Sequence, residues 1–283
     1  MSYKTILAHF NDEQRFPGIM KAAVQIARTH HAHIVGLAVM PPIIIVPGTE
    51  ADAGAVIEDH REQYRPQLVA MHEAFTADLT AHDVKGEWLE LDCERVDPFG
   101  DVGRVAVAHA RTADLVIASV ANPAWSLSAY LDVHESLVMD SGRPVLLLPN
   151  PPMPAQIGKR VLLAWNDTRE AARATFDALP LLGSAETVMV AQVDDSTSGG
   201  DGRALPRTDI CKAMARHGVR CALLPVIAAA NGTGGTLLQT AERRDADLLV
   251  MGCYGHSRLR ELIFGGASRH VLQHMRIPVL MSH

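Results

Sequence analysis

The chain carries one series of signals twice. An apolar run that ends in an aromatic residue, Asn and Asp opens each copy, an Ala-Asp pair leads into a later apolar run, and a Pro before a last apolar run closes it. The matching segments are Thr5–Asp12 with Val161–Asp167, Ala113–Ala118 with Ala246–Met251, and Arg143–Leu148 with Ile277–Met281. These copies lie much further apart than the ~20–50 residues of a solenoid repeat. The sequence therefore predicts a tandem duplication of a whole domain.

The boundary between the two copies is predicted in the segment Pro149–Ala155, which contains four prolines. Proline fixes its own backbone and disfavours helix in the residue before it, so such a segment forms a stiff, extended linker. We therefore expect one domain over residues 1–150 and a second over 151–283.

Apolar strand-like runs alternate with amphipathic stretches in both halves. In the second half the strands are predicted at 160–165, 187–193, 221–227, 247–251 and 278–282, and the helices at 169–182, 206–217, 235–244 and 262–275. Continuous apolar strands between helices are typical of a parallel sheet that is buried on both faces. The first half differs by an insertion around 41–82, where a proline-containing loop precedes a long helical pattern at 56–81.

The last strand of each half begins with a proline, which normally lies on an edge strand or at the first position of a strand. The residues after Pro144 and Pro278 are nonetheless apolar. Because an exposed apolar edge favours pairing, we expect the two last strands to pair with each other within the chain. The alternative is that a helix covers each edge.

A glycine pattern follows the apolar run at 246–251. Glycines stand at Gly252 and Gly255, and a second pair stands at Gly265 and Gly266, ahead of a helix-like stretch. Glycine lets backbone N–H groups approach an anion closely, and a helix N-terminus adds unpaired donors with a partial positive charge. The pattern indicates a phosphate site made of backbone rather than of lysine. In any α/β protein, however, glycines also end strands and cap helices.

This pattern resembles the nucleotide signature of the universal stress protein family, G-x2-G-x9-G-(S/T). Gly252, Gly255 and Gly265 fit the spacing, but Gly266 replaces the hydroxyl residue, and Ser268 is the next hydroxyl. The resemblance extends over nearly the whole chain and is weakest over about 41–100. It implies an α/β fold of two tandem doubly wound domains, each a five-stranded parallel sheet in the order 3-2-1-4-5 flanked by helices.

In this strand order the ligand is expected in the crevice at the carboxyl ends of strands one and four. The resemblance implies a site for ATP in the second half, with Mg²⁺ or Mn²⁺ as the accompanying metal ion. Asn166 lies on the family's Asp, and an amide there keeps an acceptor but loses the charge. The residues expected at the nucleotide are Trp165, Asn166, Asp167, Val193, Met251, Gly252, Gly255, His256, Gly265, Gly266, Ala267 and Ser268.

Several of these residues also have a purely structural interpretation. Asp167 or Thr168 can serve as a helix N-cap, and His256, Arg258 and Arg260 can form a solvated face. The Gly-rich segment 231–236 looks like a phosphate loop, but a flexible loop with Thr236 capping the next helix explains it as well.

The first half departs from the glycine pattern, and we expect a degenerate domain that binds no ATP. Ser119 and Asn122 stand in place of Gly252 and Gly255, and bulky residues and a carboxylate follow at 123–134. These side chains are expected to obstruct or repel a phosphate.

Composition narrows the function classes. A net charge of −6 argues against a nucleic-acid partner, and four cysteines without C-x-x-C spacing fit a reducing, cytoplasmic compartment. No apolar stretch is long enough to span a membrane. Fourteen histidines, three of them near residue 31, lack the companion spacing of a metal site.

Three functions remain open at this point. The resemblance implies a stress-response regulatory protein that binds ATP and has an unidentified protein partner. Because family members associate through the last strand, a homodimer is left open as well. An interaction protein of the same fold without nucleotide, or a slow adenine-nucleotide hydrolase, are the alternatives. The motif shows no dedicated general base or phosphoryl-stabilising arginine, so we expect at most a slow ATPase.

Overall fold

The structure, a computed structural model, describes residues 2–40, 53–97, 100–122, 133–150, 154–194, 209–253 and 266–283. Packing divides the chain into two compact units. The N-terminal unit is Tyr3–Ser141, and the C-terminal unit is Gly142–His283 with the first two residues.

The N-terminal unit contains four parallel strands in the order β3-β2-β1-β4. The strands are β1 (Thr5–Phe10), β2 (His33–Met40), β3 (Gly86–Asp92) and β4 (Leu115–Ser119), and the helices are α1 (Phe16–His30), α2 (Ala53–His82), α3 (Cys93–Val96), α4 (Val102–Ala110) and α5 (His134–Asp140). All of β4 and nearly all of β1 are buried, as expected for strands with helices on both faces.

The C-terminal unit contains six strands in the order β5-β10-β9-β6-β7-β8. The strands are β5 (Val145–Leu148), β6 (Arg160–Ala164), β7 (Thr187–Asp194), β8 (Cys221–Ile227), β9 (Leu248–Gly252) and β10 (Val279–Ser282). The helices are α6 (Arg169–Asp177), α7 (Leu179–Leu182), α8 (Ile210–Arg216), α9 (Gly232–Arg243) and α10 (Gly266–His274). Its five parallel strands, β6 to β10, follow the predicted 3-2-1-4-5 order. The predicted doubly wound α/β fold class is confirmed.

The last strands of the two repeats pair with each other, as predicted. Strand β5 runs antiparallel to β10, with Leu146 opposite Leu280 at the centre of the register. Both strands are fully buried. Pairing removes the apolar edge, so the alternative of a covering helix at this edge is wrong. Because β5 packs with β10, the compact C-terminal unit begins at Gly142, before β5. The domain boundary that the sequence predicted between residues 150 and 151 separates the two sequence repeats, and it remains a prediction.

The repeated Ala-Asp pair has a structural role in both units. The carboxylate of Asp114 accepts from the backbone N–H groups of Lys4 at 2.7 Å and Thr5 at 3.0 Å. The carboxylate of Asp247 accepts in the same way from Gly158 at 2.9 Å and Lys159 at 3.1 Å. In each repeat, the aspartate before strand four thus satisfies backbone donors at the start of strand one.

Two predicted helices differ from the observed ones. The helix predicted at 169–182 is two helices, α6 and α7, and the second has Pro180 in its first turn, where a missing N–H costs nothing. The helix predicted at 235–244 begins earlier, at Gly232, so the glycine-rich segment is helical rather than a loop. Thr236 lies inside α9 and its hydroxyl accepts from the backbone N–H of Ala229 at 2.8 Å, so its predicted role as the cap of this helix is wrong.

Candidate functional site

A pocket of about 190 Å³ lies at the carboxyl ends of β6, β7 and β9. It is lined by Ala164, Trp165, Asn166, Ala171, Ala191, Val193, Thr233, Leu237, Met251, Gly252 and Ala267. In the doubly wound order, β6 and β9 are the neighbours at which the connections diverge, and ligands bind in this crevice. Most of the lining is apolar, with a few polar groups, as in small-molecule sites generally.

The residues after β6 form a small network at the mouth of the pocket. The indole Nε1 of Trp165 donates to Oδ1 of Asp167 at 3.1 Å, and the hydroxyl of Thr168 donates to Oδ1 of Asn166 at 3.0 Å. Trp165 is buried, whereas Asn166 and Asp167 are exposed. The indole is therefore fixed against the pocket, while the Asn166 amide faces solvent at its rim.

Thr168 rather than Asp167 is the N-cap of α6. Its Oγ1 accepts from the backbone N–H of Ala171 at 3.3 Å. Asp167 has a φ of 57°, a left-handed conformation that non-glycine residues seldom adopt. This bend turns the chain from β6 into α6 and brings Ala171, in the first turn of the helix, to the pocket.

Gly252, the last residue of β9, is required by packing. A Cβ atom at this position would lie 2.5 Å from the carbonyl carbon of Glu170 and 2.6 Å from the nitrogen of Ala171. The missing side chain thus lets the start of α6 approach the strand. From the sequence we expected Gly252 to contact a ligand. The close packing of α6 against β9 is by itself enough to require a glycine at this position.

Two helices begin at the pocket, and a third lies beside them. Ala171 and Thr233 belong to the first turns of α6 and α9, Ala267 belongs to the first described turn of α10, and all three residues line the pocket. Helices α9 and α10 are close, since a Cβ on Gly234 would lie 2.6 Å from the carbonyl oxygen of Ala267. The pocket therefore receives the positive ends of the α6 and α9 dipoles.

Thr233 was missed as a site residue by sequence reasoning. It stands in the glycine-rich segment that was interpreted as a loop, and it carries the one side-chain hydroxyl among the described residues that line the pocket. Its place in the chain could have indicated it. Thr233 follows strand three of its repeat, and the carboxyl ends of neighbouring parallel strands lie at the same edge of the sheet, where the ligand is expected.

The predicted site residues divide into three groups. Trp165, Asn166, Val193, Met251, Gly252 and Ala267 line the pocket, whereas Asp167, Gly266 and Ser268 are not part of its lining. Gly255, His256 and Gly265 lie outside the described residues.

Ser268 and Gly266 differ in their surroundings. Ser268 is fully buried, and its Oγ has no hydrogen-bond partner among the described residues. It therefore does not present its hydroxyl to the pocket in place of the one missing at position 266. Gly266, in contrast, has open space where a Cβ would be.

The matching crevice of the N-terminal unit is closed by an ion pair. Arg15 donates from Nε to the carboxylate of Asp12 and from Nη1 to the carbonyl oxygen of Val120, at 2.5 Å. Both charged residues are buried. Because Asp12 follows β1 and Val120 follows β4, the arginine spans the place that corresponds to the C-terminal pocket. The corresponding residue of the second repeat is Glu170, so the bridge has no counterpart there.

Two buried histidines lie near this ion pair. Burial, with a smaller contribution from the Arg15 charge, lowers the pKa of His9 and of His134 to about 4. Their Nε2 and Nδ1 atoms, respectively, have no hydrogen-bond partner among the described residues. Both imidazoles are therefore neutral at pH 7. They lie beside the Arg15–Asp12 pair, in which the two opposite charges neutralise each other.

The comparisons with known proteins agree with this fold. Residues 226–283, which run from the end of β8 through β9 and α10 to β10, match the model of the universal stress protein family. A universal stress protein from Archaeoglobus fulgidus DSM 4304 is similar over 98% of this chain and 95% of its own, at 17% identity and a TM-score of 0.71. The resemblance to the universal stress protein family is confirmed. Outside 226–283 the likeness is one of fold.

Two further solved structures are similar to this chain. A functionally unknown protein of Pseudomonas aeruginosa PAO1 is similar over 99% of this chain and 92% of its own, at 18% identity and a TM-score of 0.59. A universal stress protein solved in complex with cAMP covers 53% of this chain with 100% of its own, at 16% identity and a TM-score of 0.36. No match to a curated protein was found. Among the described residues, no helix is long and apolar enough to cross a membrane.

Proposed function

We propose that this protein is a regulatory protein of the universal stress type, which binds ATP in the pocket of its C-terminal unit. The observation that carries the proposal is the convergence of the N-termini of α6 and α9 on a pocket at the divergence point of a parallel sheet. Backbone N–H donors and dipoles at such a place favour an anion, and the apolar walls favour a ring system.

The size of the pocket suggests how the nucleotide is divided between the pocket and the surface. A cavity of about 150 Å³ holds a benzene ring, so about 190 Å³ suits one aromatic ring system rather than a whole triphosphate. We assign the base to the space beside Trp165 and Val193. The phosphates then extend toward the starts of α9 and α10, where Thr233 and Ala267 lie and where Gly266 leaves open space.

A divalent ion would be held chiefly by the phosphates. The described residues contain no group of three or more His, Cys, Asp or Glu that could hold a metal ion. Mg²⁺ is commonly bound through nucleotide phosphates, water and few protein ligands. The expected role of Mg²⁺ or Mn²⁺ is to neutralise phosphate charge on binding.

The N-terminal unit is proposed to bind no ATP. The Arg15–Asp12 pair and the contact of Arg15 with Val120 occupy the space between the ends of β1 and β4. Opening this space would separate two buried charges, and breaking a buried pair is costly.

A change of the pocket volume tests the proposal directly. Val193→Phe should fill the pocket and lower ATP affinity at least tenfold, because Val193 lines it. The matched control is Val226→Phe, since Val226 pairs with Val193 in the next strand and does not line the pocket. Calorimetric titration of ATP with Mg²⁺ into refolded, ligand-free protein measures both. Equal affinities in the two variants would contradict the proposal.

The alternative is an interaction protein that binds no nucleotide. The specific observation in its favour is the buried Ser268 beside the missing hydroxyl at Gly266. The two functions are distinguished by thermal melting, because a ligand that binds only the native state must raise the melting temperature. No shift with ATP, ADP or cAMP would favour the interaction protein.

A further inference from the structure

Two cysteines lie in contact at one end of the C-terminal sheet. The Sγ atoms of Cys211, in the first turn of α8, and Cys221, the first residue of β8, are 2.9 Å apart. A disulfide requires a separation of about 2.05 Å, so closure needs a movement of less than about 1 Å. We propose that Cys211 and Cys221 form a reversible intramolecular disulfide, which makes this pair a thiol-modification site. The proposal does not depend on nucleotide binding.

The backbone between the two cysteines is well anchored. Ile210, Met214 and Val219 are buried. The N–H of Val219 donates to the carbonyl of Met214 at 3.1 Å, and Gly218 has a φ of 79°, which reverses the chain after the helix. Because both ends of this short loop are fixed, the backbone holds the two cysteines at positions from which their sulfurs can meet.

Reagents can reach this pair. Cys211 and Cys221 are partly exposed, whereas Cys93 and Cys253 are fully buried. Reactivity of a thiol requires access as well as proximity to a second sulfur. The molecule therefore presents two accessible, adjacent thiols and two thiols that can serve as inert controls.

The reaction partner is a low-molecular-weight disulfide such as glutathione disulfide. The sulfur of Cys211 attacks one glutathione sulfur, the S–S bond of glutathione breaks, and one glutathione leaves with the electron pair and takes up a proton. The sulfur of Cys221 then attacks Sγ of Cys211, and the second glutathione leaves as a thiol. The two protein thiols are oxidised to one disulfide, and one glutathione disulfide is reduced to two glutathione molecules.

The position of Cys221 affects its ionisation. Burial, followed by the hydrogen bond and charge interaction with Cys211, raises the pKa of Cys221. The overall exchange is the same whichever of the two sulfurs attacks glutathione disulfide first, because the other sulfur then displaces the bound glutathione.

The disulfide would tie α8 to the outermost strand of the C-terminal unit. Strand β8 pairs with β7 only and lies at one end of the strand order. A cross-link that closes a short loop stabilises the native state by restricting the unfolded chain. We therefore expect oxidation to raise the melting temperature by about 5 °C.

The test is peptide mapping of the full chain after treatment with glutathione disulfide. Trypsin cuts after Lys212, Arg216 and Arg220, so Cys211 and Cys221 fall in separate peptides unless a disulfide joins them. The expected result is one linked peptide pair, lost on reduction with dithiothreitol and accompanied by the rise in melting temperature. The linked pair should form in Cys93→Ala, and Cys221→Ser should instead hold glutathione on Cys211. Glutathione retained on Cys211 of the parent chain, or cross-linked dimers in place of the linked pair, would overturn the proposal.

Discussion

The backbone nitrogen of Ala171 lies so near Gly252 that a Cβ atom on this glycine would stand 2.6 Å from it. Real Cβ atoms do not approach backbone so closely, and the neighbour is the first turn of a helix rather than a flexible side chain. The glycine that opens the family's nucleotide signature therefore fixes the distance between β9 and α6. It shapes the pocket before any ligand is present.

Replacing Gly252 should therefore destabilise the protein. Gly252→Ala forces α6 away from β9, and overpacking of this kind costs about 1–3 kcal/mol. The matched control is Gly266→Ala, where the added Cβ meets nothing within 4 Å. Urea unfolding of both variants measures the difference. Equal free energies of unfolding would show that α6 accommodates the side chain without strain.

The N-cap of α6 supports the mouth of the pocket. Thr168→Ala removes the acceptor for the Ala171 N–H and the donor to Asn166, and loss of an N-cap hydroxyl costs about 1 kcal/mol. Thr168→Ser keeps the hydroxyl and should unfold at nearly the same urea concentration as the parent chain. The cap assignment would be wrong if the serine and alanine variants were equally unstable.

The stability of the N-terminal unit should fall with acid. The pKa of His9 and His134 is about 4 in the folded chain and 6.5 in the reference state, so the unfolded state binds more protons between these values. The contribution of each neutral, buried histidine to the free energy of unfolding is complete above pH 6.5. It is lost as the pH falls toward 4, and this lowers the free energy of unfolding by up to about 3 kcal/mol for each histidine.

The measurement is urea unfolding between pH 7 and pH 4, followed by the fluorescence of Trp88 in a background that carries both Trp125→Phe and Trp165→Phe. Trp88 stacks on Phe10 at a centroid distance of 5.5 Å in the N-terminal unit. His9→Leu should reduce the dependence on pH, because leucine does not titrate. A pH dependence that survives in His9→Leu and in His134→Leu would contradict the assignment.

The repeated aspartate offers a test of the duplicated architecture. Asp247→Asn keeps one oxygen acceptor but cannot accept from Gly158, Lys159 and Arg160 together as the carboxylate does. We expect a loss of about 1–2 kcal/mol, since hydrogen bonds to charged groups contribute about 1.5–3 kcal/mol. Asp114→Asn should act in the same direction through the donors of Lys4 and Thr5. Thermal melting checks both, and unchanged melting in both would show that these bonds do not contribute.

The sequence predicted the features that repeat or alternate along the chain. Apolar runs between amphipathic stretches indicated parallel sheets, and the edge chemistry after Pro144 and Pro278 indicated that the two last strands pair, which is confirmed. The strand order was implied by the family resemblance and is confirmed as well. That order located the crevice, and the resemblance placed Trp165 and Val193 at the edge where the pocket lies.

Features that depend on the spacing between elements were not predictable. The bridge from Arg15 to Val120 joins residues far apart in the chain, and nothing local in either segment indicates it. The contact of Cys211 with Cys221 depends on how α8 returns to the sheet. Thr233 was missed because a run of glycines weakens a helix signal, although tertiary packing stabilises that helix.

We propose one nucleotide site per chain, in the C-terminal unit. The decisive measurement is calorimetric titration of ATP with Mg²⁺ into refolded protein, with Val193→Phe measured alongside. We expect one site in the parent chain, a large loss of affinity in this variant, and no second site in the N-terminal unit, whose crevice holds Arg15. Two sites per chain, or no binding together with an unchanged melting temperature, would contradict it.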